Sequence, residues 1–101
     1  MNKIILDKEN SIDLNITEDS ICYIDKSYNI NKLNINITDN TSFIINHYNE
    51  INKSDLTINV KQNSNSVFEY NHSFKTNDLY NLNINVILEG KKSKNIIILW
   101  N

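Results

Sequence analysis

One short phrase occurs four times in this chain: "IDLNIT", "LNINIT", "LTINV" and "LNINV". Each holds apolar residues at every second position, the periodicity of a β-strand with one face buried. A second apolar run follows each phrase: "ICYI", "SFII", "VFEY" and "NIIIL". Between the two runs lies a polar bend: "TEDS", "TDNTS", "KQNSNS" and "EGKKSK". The first runs begin at Ile12, Leu33, Leu56 and Leu82, spaced 21, 23 and 26 residues apart. Internal repetition at such a period means stacked supersecondary units.

Two architectures satisfy this pattern. In an antiparallel β-sandwich, strands adjacent in sequence pair with each other. In a parallel β-helix, or β-solenoid, equivalent strands of successive coils pair. Equivalent positions share residue type, as coil-on-coil stacking demands, and the Asn-Gly and Asp-Gly hairpin signals are absent. A repeat of this length also suits one coil of two or three short strands. The expectation is an all-β single domain over residues 1–101, a right-handed β-solenoid of about four coils, with the antiparallel sandwich as the alternative. Helices find little room beyond a single turn in "EINKSDL".

Stacking the phrases on one another puts Asn15, Asn36, Asn59 and Asn85 in one column, about 4.8 Å apart. Amides at that spacing can hydrogen-bond along the column, as in asparagine ladders. The competing explanation is that asparagine is simply this chain's commonest outward residue. Ile12/Leu33/Leu56/Leu82, Leu14/Ile35/Ile58/Ile84 and Ile16/Ile37/Val60/Val86 would fill the core. A solenoid has open ends, and "NIIILW" is strongly apolar, so self-association through the C-terminal coil around Ile96 to Trp100 is expected.

Composition narrows the function classes. The net charge is -2 and all ten basic residues are lysines, which excludes the basic, arginine-bearing stripe of a nucleic-acid binder. The cluster Lys91, Lys92 and Lys94 reads as a solvated turn. A single cysteine, Cys22, permits no internal disulfide. The opening "MNKIILDKEN" has too short an apolar run for a signal-peptide core or a membrane span. A cytoplasmic protein without membrane association follows as the expectation.

Phosphate-binding loops, zinc-protease helices, nucleophile elbows and Cys-x-x-Cys pairs are all absent, and the carboxylates are scattered. No enzyme activity and no resident cofactor are expected. The histidines are the metal candidates. "FIINHYN" and "FEYNHSF" align as Phe43/Phe68, Asn46/Asn71 and His47/His72, one repeat apart. Adjacent coils would bring His47 and His72 together, with Asp25, Glu50 and Glu69 as oxygen ligands for iron or zinc. The alternative is that both mark a strand end turning into solvent. Cys22, among apolar neighbours, reads as a small buried hydrophobe.

The stretch "SDLTINVKQNSNSVFEYNHSFKTNDLYNLNINVILEGKKSKNIIILW" resembles the β-helical core of the SufB/SufD proteins of iron–sulfur cluster assembly. Their coils also run as strand, polar bend and second apolar strand, with a glycine in the place Gly90 holds. The resemblance covers residues 30 to 100. It implies a non-catalytic, protein-binding scaffold whose β-helices pair, with a SufC-like ATPase or a SufB-like protein as partner. That family binds its ATPase through a C-terminal helical region, which these 101 residues do not supply. Cys22, His47 and His72 inherit no role from the resemblance. The other readings are a self-assembling structural solenoid without ligand, and a small metal-binding protein built on His47 and His72.

Overall fold

The computed structural model describes residues 1–6, 11–24, 30–49, 55–74 and 81–100. They form nine strands: β1 (Asn2–Leu6), β2 (Ser11–Ile16), β3 (Ser20–Ile24), β4 (Lys32–Ile37), β5 (Ser42–Asn49), β6 (Asp55–Gln62), β7 (Val67–Phe74), β8 (Asn81–Leu88) and β9 (Lys94–Trp100). The odd strands make one sheet in the order β1-β3-β5-β7-β9, and the even strands a second in the order β2-β4-β6-β8. Every pairing is parallel, which overturns the antiparallel alternative and is consistent with a solenoid. Strand β1 is an addition, since a five-residue run too short to show a clear period reads as nothing by itself.

Alternation does the sorting. In β4 and β6 the burial pattern switches residue by residue, with Leu33, Ile35, Ile37, Leu56, Ile58 and Val60 sealed inside. Opposite them stand Cys22, Ile24, Phe43, Ile45, Phe68 and Tyr70 from the other sheet. β-Branched side chains suit this pleated surface. None of the described residues is helical, and no helix is long and apolar enough to cross a membrane.

Register departs from the sequence reading at one place. Between β2 and β4, Asn15 stands beside Asn36, and between β6 and β8, Asn59 stands beside Asn85, as the phrases predict. Between β4 and β6 the register slips by two: Asn34 faces Asn59, while Asn36 faces Lys61. A slip of two leaves every side chain on its own face, so alternation cannot detect it. The bends set it. Asn40 N–H donates to Ser64 O and Asn65 N–H to Lys91 O, both at 2.9 Å, stacking bend upon bend. Asp39 Oδ1 accepts from Ser64 N–H at 2.9 Å, as Asp19 Oδ1 does from Ser42 N–H. With the bends aligned, Lys61 and Gln62 become extra strand residues, and the core columns read Ile12/Leu33/Ile58/Ile84, Leu14/Ile35/Val60/Val86 and Ile16/Ile37/Gln62/Leu88.

The predicted asparagine column therefore divides in two. One ladder climbs from Asp13 through Asn34 and Asn59 to Asn85, with amide-to-oxygen bonds of 2.8, 3.0 and 3.0 Å. The other joins Asn36 to Asn15 at 2.9 Å and receives Asn63 at 3.5 Å.

Three bend residues, Asn40, Asn65 and Lys92, have left-handed backbone, with φ of 59°, 57° and 64°. Asparagine tolerates that conformation well. Gly90 serves a different need. A Cβ there would collide with Ser64 Oγ and lie 2.6 Å from Ser64 N and 2.8 Å from its Cα. Because backbone atoms cannot yield as a side-chain tip can, Gly90→Ala should lower stability by about 1–3 kcal/mol. Urea denaturation measures this, and an unchanged midpoint would show that the β8–β9 bend can lift off Ser64.

Candidate functional site

The two histidines meet inside the protein. Inward positions of β5 are Phe43, Ile45 and His47, and those of β7 are Phe68, Tyr70 and His72. His47 pairs with His72 in register, and their rings stack with centroids 4.0 Å apart and planes at 17°. His47 is 3% exposed and His72 0%, so neither turns into solvent. The equivalence of the two repeats brought them together, as the sequence predicts.

Tyr70 was not foreseen. Its hydroxyl lies 3.0 Å from His47 Nδ1 and 2.8 Å from His72 Nδ1. The signal was available: Tyr70 takes the place of Ile45 in the preceding repeat, two residues before the histidine and so on its face. A phenol carries one proton and donates it to one Nδ1 only. At least one of the two Nδ1 atoms therefore holds a hydrogen and donates to the phenol oxygen. His47 Nε2 is buried and has no hydrogen-bond partner among the described residues.

Burial, with nearby His72 adding to it, lowers the His47 pKa to about 3, and burial lowers that of His72 to about 4. Both rings are therefore neutral near pH 7. Neutral imidazole is the metal-binding form, yet the geometry is that of a stack. With both Nδ1 atoms on one hydroxyl and the planes nearly parallel, the two rings lie side by side and their Nε2 atoms do not converge on one point. A tetrahedral ion needs them convergent. A shared metal would require the rings to tilt out of the stack.

The proposed oxygen ligands fare as follows. Glu69 is an outward residue of β7, and its Oε2 accepts from Asn71 Nδ2 at 3.0 Å, on the face away from the histidines. Odd spacing from His72 dictates that. Asp25 and Glu50 lie outside the described residues. Among the described residues no group of three His, Cys, Asp or Glu is placed to hold a metal. Cys22 is an inward residue at 0% exposure, and burial pushes its thiol up to about 12, far from a reactive thiolate.

The second candidate is a surface. Strands β8 and β9 stand at the end of their sheets, with no described strand beyond them. Ile87 and Leu88 are 58% and 56% exposed, and Ile96, Ile97, Ile98 and Leu99 are 44%, 41%, 40% and 49% exposed. Even Leu82, Ile84 and Val86, which continue sealed core columns, are only half-buried. An apolar, unpaired parallel edge of this kind is a template for another strand. At the opposite end Ile5 is 59% exposed, Lys3 lies over the Tyr23 ring at 5.3 Å and Asp13 stands at the foot of its ladder. The chain matches no protein-family model, no curated protein and no solved structure.

Proposed function

We propose that this chain is a right-handed β-solenoid of about four coils that serves as a non-catalytic protein-binding scaffold. Its C-terminal coil pairs with the same coil of a second copy. The observation that carries this reading is the continuous apolar edge of β8 and β9, exposed on both faces of the last strand. Right-handed winding is the hand of nearly all crossovers between parallel strands. The resemblance to SufB/SufD supports the same reading, because proteins of that family pair through their β-helices. A twofold contact centred on Ile97 would set Ile96 opposite Ile98 of the partner copy and cover both.

The test is the oligomeric state. The purified chain should sediment as a dimer, and the double variant Ile96→Lys with Ile98→Lys should weaken pairing at least tenfold by setting like charges opposite each other. Both substituted side chains face outward, so the fold should persist. A monomeric wild type at high concentration would sink the self-pairing. The same preparation, made without a histidine tag, tests the metal reading: stoichiometric iron or zinc would favour it.

A further inference from the structure

The outward face of the odd-strand sheet carries a pocket on its interior strands. Tyr23, Asn46 and Asn71 form one outward column across β3, β5 and β7, and Tyr48 and Ser73 belong to the next, two residues further along the strands. The rise of a strand puts these columns about 6–7 Å apart. All five residues line a shallow pocket of about 470 Å³. Each column holds one exposed tyrosine, 40% exposed at Tyr23 and 37% at Tyr48, followed by a polar side chain on the next strand.

The amides are held in one orientation. Glu69 stands two residues before Asn71 on the same face, and an ionised carboxylate can only accept. Asn71 Nδ2 donates to Glu69 Oε2 at 3.0 Å and to Asn46 Oδ1 at 3.2 Å, which commits both of its N–H bonds. The Asn71 oxygen, the Asn46 N–H₂ group and the Ser73 hydroxyl carry no hydrogen bond among the described residues. The pocket thus offers a fixed amide donor, a fixed amide acceptor and a hydroxyl that can be either, beside two aromatic rings. Charge selects against ions. Lys3 Nζ lies 5.3 Å from the centre of the Tyr23 ring, so a cation seeking that ring meets a like charge, and an anion meets Glu69. A pyranose fits what remains: it is uncharged, its C–H faces pack on an aromatic ring, and its rim of hydroxyls both donates and accepts.

We propose that this pocket binds a neutral sugar ring, with Tyr23 and Tyr48 as packing surfaces, Asn46 as donor and Asn71 as acceptor to its hydroxyls. Glu69 is a positioning residue: it fixes the amide pair without touching the ligand. The site lies away from the β8 and β9 edge, so it stands or falls apart from the dimer. Its volume suits a small ligand, and its shallowness sets the dissociation constant of a single ring on the order of 1 mM. A free monosaccharide and the end of a glycan chain present the same ring, and affinity separates the two.

Saturation-transfer NMR on the full chain tests the site, with glucose, galactose, mannose and N-acetylglucosamine at about 10 mM and with a neutral oligosaccharide ending in each. At least one sugar should bind. An oligosaccharide that binds about tenfold or more tightly than its end sugar assigns a glycan as the ligand, and a smaller difference assigns the free sugar. Tyr23→Ala and Tyr48→Ala should each weaken binding about fivefold or more. Asn46→Asp still accepts from Asn71 but loses both donors, and should weaken binding about tenfold or more. Asn15→Asp makes the same exchange in the other sheet, where Asn15 Oδ1 accepts from Asn36, and should leave binding unchanged. Urea denaturation checks that each variant folds. If none of the sugars binds, if Asn46→Asp binds as wild type does, if Asn15→Asp loses binding equally, or if choline or acetate binds at these tyrosines as well as the sugars do, the proposal is overturned.

Discussion

Lowering the pH from 7 to 5 should cost the folded chain about 4 kcal/mol of stability, roughly 2 from each histidine. Burial lowers His47 to about 3 and His72 to about 4, whereas the unfolded chain titrates them near 6.5. Between those values the unfolded state binds more protons than the folded one, so stability rises with pH. The contribution is complete above the unfolded value and is lost as pH falls from there toward the folded values. At pH 5 the loss depends only on both folded pKa values lying below 5. Against a total of about 5–15 kcal/mol for a small domain, this is a large fraction. Urea titrations at pH 7, 6 and 5 measure it, with the His47→Gln, His72→Gln double variant as control. That variant should show a much flatter profile. Equal slopes in the two proteins would mean that the acid response arises elsewhere.

Gln62→Ala should be the most damaging single substitution in the even-strand sheet, at about 3–5 kcal/mol. The side chain is fully buried in a column otherwise made of Ile16, Ile37 and Leu88. Its Nε2 donates to Lys94 O at 2.9 Å and lies 3.4 Å from Ser66 O and Oγ, while its Oε1 accepts from Asn95 Nδ2 at 3.4 Å. One amide thus links the even sheet to the foot of β9. Truncation opens a cavity, worth about 2–5 kcal/mol for a side chain of this size, and deprives buried groups of partners at about 1–3 kcal/mol each. Gln62→Leu separates the two effects. It refills the space and suits its column neighbours, so its cost should fall to about 1–2 kcal/mol and report the lost hydrogen bonds alone. Chemical denaturation of both variants decides, and a Gln62→Leu protein as stable as wild type would show that the amide contributes nothing beyond volume.

What could be read from the residues follows from the period of two. The alternating runs located eight of the nine strands, and matching "FIINHYN" to "FEYNHSF" placed His47 beside His72. The same parity, applied to Glu69, would have removed it from the ligand set. Parity cannot see a shift of two residues, however. For that reason Asn36 was matched to Asn59 rather than to Lys61, and Gln62 was not foreseen as a core residue. The missing information lay in the bends, where the Asp39 carboxylate accepts from Ser64 N–H and Asn40 N–H donates to Ser64 O of the next repeat. The buried phenol of Tyr70 belongs to the same class: residue type suggested a surface or core aromatic, and only the second histidine, one repeat away, gives its hydroxyl a partner on each side.

The pairing distances carry a further consequence. From Asn2 with Ser20, 18 positions apart, to Val67 with Lys94, 27 apart, each described strand pairs its backbone with its counterpart in the preceding or following repeat. Closing loops of this length costs little more for one repeat than for another, because the entropy grows only with the logarithm of length. Folding can therefore proceed as a zipper, each repeat templated on the one already in place, with cooperativity passed between nearest neighbours rather than through one global nucleus. Such a chain can begin to order while it is still emerging from the ribosome, and evolution can lengthen or shorten it by whole repeats without redesigning the remainder.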